Sequence, residues 1–125
     1  MSRFFVIAGA LSAFMAVGMG AFGAHGLSQK LAPASLQTFE VGARYQMYHA
    51  IALVALGLAI DRWPRGEFTV GGWCFLIGSV LFSGSLYALS LSGTRWLGAI
   101  TPFGGLAFLL GWLSLAWAAW RTTGS

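Results

Sequence analysis

Four long stretches of this chain carry no Asp, Glu, Lys or Arg at all: residues 4–29, 45–60, 68–94 and 96–120, about three-quarters of its 125 residues. A soluble domain does not tolerate such an arrangement, because its surface needs charge throughout and is typically about a quarter charged. Here only 8% of residues are charged and 58% are hydrophobic, and the charges lie between the runs. About 20 apolar residues cross the hydrocarbon of a bilayer as a helix. The pattern therefore predicts an all-α protein: a four-helix transmembrane bundle with its termini on the same side. The expected spans are roughly 4–24, 41–60, 68–91 and 97–120, in a single integral membrane domain over 1–125.

The net charge of +4 does not point to nucleic acid, since the seven basic residues stand singly near helix ends and form no patch. They act better as topology marks. Arg3, Arg62, Arg65 and Arg121 fall on one side, and Lys30, Arg95 and, if counted, Arg44 on the other. That excess places the termini in the cytoplasm of a multi-pass inner-membrane protein. Trp63, Trp117 and Trp120 share the cytoplasmic level and Trp96 the other, as an aromatic belt does. The lone Cys74 has no partner for an internal disulfide and reads as packing.

Along the chain, Arg3 followed by an apolar stretch would also suit a signal peptide cleaved near Ala21-Phe22-Gly23, but the stretch exceeds a typical signal-peptide core and is read as a helix. The connection HGLSQKLAPASLQTFE (25–40) is an interfacial segment, with helix two beginning near Ala34 behind Pro33. DRWPRGE (61–67) and SGTR (92–95) are turns, and the tail RTTGS is short. Thr101-Pro102 marks either the true start of helix four or a kink in it. Small residues recur every seven positions in each span: Gly9, Ala16, Gly23; Ala43, Ala50, Gly57; Gly71, Gly78, Ser85; Gly104, Gly111, Ala118. Close helix packing uses such stripes, though in a chain so rich in Gly and Ala they support a compact bundle and no more.

Polar chemistry collects where helices one and three end and helices two and four begin. The candidate site there is His25, Glu40, Arg44, Tyr45, Gln46, Tyr48, His49, Tyr87 and Thr101. Its densest part, EVGARYQMYH (40–49), sets Glu40 with Arg44, Arg44 with Tyr48 and Tyr45 with His49 one helical turn apart. With 1.5 Å of rise per residue, His49 lies about 12 Å inside the bilayer, where an ionisable group must face the bundle. It either titrates and binds, with Arg44 as an anion or headgroup anchor, or stays neutral and fastens helix two to a neighbour. His25, between Ala24 and Gly26, caps the free carbonyls of helix one or contributes to binding. Two histidines at different depths fall short of a zinc or haem site, so neither a metal nor another cofactor is expected. No nucleophile motif or phosphate-binding glycine loop occurs, which argues against an enzyme.

The motifs GAFGAHGL (20–27), RYQMYHAIAL (44–53), FSGSLYAL (82–89) and TPFGGLAFLLGW (101–112) follow one another along the chain. In these it resembles the YgdD/YwdK-like family of uncharacterised small bacterial membrane proteins, over essentially its whole length. The resemblance implies a four-span plasma-membrane protein and carries over no activity. Its signature stretches include His25, Arg44, Tyr45, Gln46, Tyr48, His49, Tyr87, Thr101 and Pro102. The expected function is non-catalytic, exerted by association as a homo-oligomer or with other membrane proteins, as an accessory subunit of a membrane complex. The competing expectation is a small transporter, channel or lipid- or solute-binding protein built on the polar cluster.

Overall fold

The computed structural model describes residues 1–122; of the RTTGS tail, residues 123–125 lie outside the described residues. Four helices follow one another, α1 (Ser2–Ala21), α2 (Pro33–Arg62), α3 (Gly66–Ser92) and α4 (Thr101–Arg121), with no strand among the described residues. A single π-helical turn, Phe22–Gly26, extends α1, and a 3-10 turn, Arg95–Ala99, precedes α4 and occupies the first residues expected in span four.

Local chemistry sets these boundaries. Pro33 opens α2, where its missing N–H costs nothing, and Pro102 sits equally early in α4, so Thr101-Pro102 is a helix start and not a kink. Gly93 ends α3 in the left-handed region at φ 72°, its N–H donating to the Leu89 carbonyl at 2.8 Å. At the end of α1 the Leu27 N–H reaches back five residues to the Phe22 carbonyl at 3.0 Å. The π turn is packed through its glycines. A Cβ on Gly26 would fall 2.6 Å from the Phe22 ring, and one on Gly23 would fall 3.0 Å from the Phe39 ring.

Three of the helical stretches, Ser2–Gly26, Gly66–Ser92 and Arg95–Arg121, are long and apolar enough to cross a membrane. The 30-residue α2 is long enough but carries the 40–49 polar stretch. Its neighbours bury Gln46 and His49 of that stretch: α2 and α3 form the central pair, with α1 packed along α2 and α4 along α3. Successive helices run antiparallel. Ser2 meets Gly57 and Gly9 meets Ala50 between α1 and α2, while Gly71 faces Gly111 and Gly78 faces Gly104 between α3 and α4.

All twelve residues of the four small-residue stripes are buried. Their role is to let backbones touch: a Cβ on Gly9 would lie 2.7 Å from the Ala50 carbonyl oxygen, and one on Gly78 would lie 3.1 Å from that of Gly104. Lipid tails are as apolar as leucine, so close van der Waals packing is what holds helices together in a bilayer. Between the stripes sit the fully buried rings of Phe5, Phe39, Phe68 and Phe75, with Leu53 and Leu56. The outer surface is the reverse of a soluble protein's, with Phe14, Val80, Phe103 and Leu113 each about two-thirds or more uncovered. A bilayer covers such a surface at no cost.

Gly104→Ala puts a methyl group against the Phe82 backbone and should destabilise the detergent-solubilised protein by about 1–3 kcal/mol. Gly18→Ala, where a Cβ meets nothing within 4 Å, should leave stability unchanged or raise it by up to about 1 kcal/mol. Thermal denaturation followed by circular dichroism compares the two. Equal effects would show that the α3–α4 contact does not depend on backbone approach.

Candidate functional site

The nine candidate residues do not form one site. They divide among several places, and the helix carrying each determines which. Gln46 lies at the centre of the first. Its amide nitrogen donates to the Ser12 carbonyl at 3.3 Å and the Ser12 hydroxyl at 3.2 Å, and its amide oxygen accepts the Tyr87 hydroxyl at 2.6 Å. One buried side chain on α2 thus ties α1 to α3. Nearby, Ser83 of α3 donates to the Gly42 carbonyl of α2 at 2.7 Å.

His49, only 4% exposed, is the centre of the second. Its Nδ1 lies 2.8 Å from the Tyr45 carbonyl oxygen, and the Trp112 indole N–H donates to its Nε2 at 3.0 Å. A carbonyl only accepts and an indole N–H only donates, so the proton sits on Nδ1 and Nε2 is bare. Those partners suit a neutral imidazole. The ring lies flat on Phe108, with centroids 3.5 Å apart and planes 6° from parallel, and Phe75 closes another side at 5.4 Å. The sequence placed His49 in the polar stretch of helix two and left Phe108 and Trp112 out of the candidate site, whereas antiparallel packing of α4 brings them together at mid-height.

The remaining candidates stand apart. Glu40 and Arg44 line a shallow recess with Tyr48, yet no ion pair joins them among the described residues, and Arg44 is exposed. Tyr45 and Tyr48, ring centroids 5.5 Å apart, border an open apolar groove of about 780 Å³ between α2 and α4, with His49 in its wall. Thr101 pairs its hydroxyl with that of Ser85 at 2.6 Å, joining α4 to α3. His25 is exposed in the π turn, where its side chain makes no hydrogen bond among the described residues, and the backbone N–H of Leu27 takes the Phe22 carbonyl.

Sequence reasoning missed Ser12, Trp112 and Phe108, which complete these arrangements. Ser12, the lone hydroxyl within the apolar run of α1, carried a faint signal. Trp112 and Phe108 lie inside the TPFGGLAFLLGW motif, but nothing in it separates them from packing rings of α4.

If His49 is a neutral fastener, Trp112→Phe, which keeps a ring but removes the donor, should cost about 1 kcal/mol in detergent. His49→Ala, which also removes the stack on Phe108, should cost about 2–3 kcal/mol. Nitrogen-15 NMR of histidine-labelled protein should show protonated Nδ1 and bare Nε2. A resonance from the opposite tautomer would remove the Trp112 bond.

Comparison with known proteins identifies the family. Residues 19–105 match a family described as "Protein of unknown function (DUF423)". The chain is 47% identical over 118 residues to the UPF0382 membrane protein YwdK of Bacillus subtilis, a match covering 94% of this chain and 96% of that one. It is 48% identical over 122 residues to a UPF0382 membrane protein of Staphylococcus epidermidis, covering 98% and 99%. A Haemophilus influenzae UPF0382 membrane protein is 44% identical over 114 residues, 90% of each chain. No solved structure matches it. A helical bundle with an apolar exterior, similar along nearly its whole length to these relatives, belongs to the DUF423 (UPF0382) family of membrane proteins.

Proposed function

We propose that this membrane protein acts without catalysis, by association within the bilayer, as a homo-oligomer or as an accessory subunit of a larger membrane complex. The observation that carries this reading is that the intramembrane groups with most chemistry to offer, Gln46 and His49, are engaged in bonds between helices. A group that titrates, shuttles or coordinates needs a free lone pair or proton, and these have spent theirs on the fold. What remains to meet a partner is helix surface. The outer flanks of α1 and α4 are largely uncovered, with Leu11, Phe14, Leu109 and Leu113 exposed. The connections are too short for a separate soluble module.

In this reading the chain is one integral domain in the bacterial inner membrane. Its termini are cytoplasmic, on the side with more arginine. The opposing reading, a small transporter, channel or lipid- or solute-binding protein, requires Arg44, Tyr48, His49 and Tyr87 to form one open polar cavity. It gains no support from a Tyr87 hydroxyl 2.6 Å from Gln46 or from a histidine with both nitrogens engaged.

Native mass spectrometry of tagged protein, extracted gently from its own membranes, tests the proposal. A defined oligomer or a stoichiometric membrane-protein partner is expected. A bare monomer in every gentle detergent overturns it. In parallel, His49→Ala and Arg44→Ala should alter thermal stability alone. Loss of a measurable flux in a variant that remains folded would move the function to the polar cluster.

A further inference from the structure

We infer that the cleft between α1 and α3, floored by Ser12, Gln46 and Ser79, binds an uncharged, lipid-soluble carbonyl compound of the quinone class. The inference does not rest on the association reading: a monomer that binds the quinone sinks only that reading, and an oligomer that does not bind it sinks only this one.

The cleft encloses about 390 Å³, with Leu11 and Met15 on the α1 side and Leu76 and Val80 on the α3 side. Its anomaly is Ser79. This residue is 8% exposed, lines the cleft, and its hydroxyl makes no hydrogen bond within the described residues. A helical serine ordinarily returns its proton to a carbonyl one turn back, and a buried hydroxyl without a partner lowers stability. Facing groups sharpen the chemistry. Ser12 accepts a hydrogen bond from Gln46 and donates none among the described residues, so its proton is also uncommitted there. Gln46 has committed its oxygen to Tyr87 and its nitrogen to Ser12. The floor therefore holds two hydroxyl protons that no acceptor among the described residues takes.

No Asp, Glu, Lys, Arg or His lines the cleft, so the complement is a neutral acceptor such as a carbonyl oxygen. Depth selects the carrier. Ser79 stands at the midpoint of α3, thirteen residues from either end, or about 20 Å at 1.5 Å per residue. In a hydrocarbon layer about 30 Å thick, that is the centre. The ester carbonyls of a glycerolipid are held at the headgroup level and do not reach it. A carbonyl on a compact ring with a hydrocarbon tail moves within the layer, and the apolar walls accept such a tail.

The test uses the purified full chain in detergent, with decyl-substituted benzoquinone as probe and decylbenzene as its carbonyl-free counterpart, read by calorimetric titration and by thermal shift. Saturable binding of the quinone alone is expected. Ser79→Ala should weaken it about 5-fold, the value of one neutral hydrogen bond, while ligand-free Tm stays level or rises because an unpaired hydroxyl has gone. Gly84→Leu, at a cleft position where a Cβ meets nothing within 4 Å, should fold normally and abolish binding by filling the space. Equal binding of both probes means an unselective greasy crevice and overturns the proposal, as does no binding of either. Wild-type affinity in Ser79→Ala or in Gly84→Leu overturns it. So does a fall in the ligand-free Tm of Ser79→Ala, which would give the hydroxyl a structural role.

Discussion

Contact of backbone with backbone is the constraint from which the rest of this bundle follows. Within lipid, burying an apolar side chain against another gains little over leaving it in acyl chains, so stability comes from close packing and from polar bonds that lipid does not supply. Gly9 against the Ala50 carbonyl, Gly57 against Ser2 and Val6, and Gly71 and Gly78 against the carbonyls of Gly111 and Gly104 remove the side chains that would hold the helices apart. The result is two tight antiparallel pairs, α1 with α2 and α3 with α4, joined through the α2–α3 contact. Large rings then fill what the small residues leave: Phe5 over Gly72, Phe75 over Gly111 and Phe108 over Gly78.

Polar side chains do what the stripes do not. Gln46 reaches from α2 to both α1 and α3, Trp112 reaches from α4 to His49 on α2, and Ser85 meets Thr101 across α3 and α4. Each bond joins neutral groups, so no charge is stranded among the rings. The ion pairs are kept to one end, where Glu67 meets Arg65 at 3.5 Å and Arg121 at 2.9 Å. Against that economy the unpartnered Ser79 hydroxyl stands out, because every other buried serine hydroxyl of the bundle takes part in a hydrogen bond.

Much of the fold was legible in one dimension because membrane insertion is a property of composition along a segment. Charge-free runs, Pro33 and the turn segments 61–67 and 92–95 marked helices and turns to within a few residues. The stripes, which chance alone would often produce in a Gly- and Ala-rich chain, all turned out to be interfaces. The candidate site was less legible. Residues 40–49 lie on one helix, but Glu40 and Arg44, Gln46, and His49 leave that helix in different directions and meet different neighbours. Arg44 turns outward and makes no ion pair with Glu40 among the described residues, and at the end of α1 a π turn gives the Phe22 carbonyl a backbone donor.

By itself, then, the sequence determined that the chain is helical, that it belongs in a membrane, and where along it small residues recur. Those depend on hydropathy and residue volume, which are fixed before folding. Only the tertiary structure decided that His49 is a neutral acceptor for Trp112, that Gln46 rather than Arg44 holds the polar core together, and that Ser79 is left without a partner. Hydrogen bonds act over about 3 Å and depend on direction, so they are settled by how helices distant in sequence are rotated against one another.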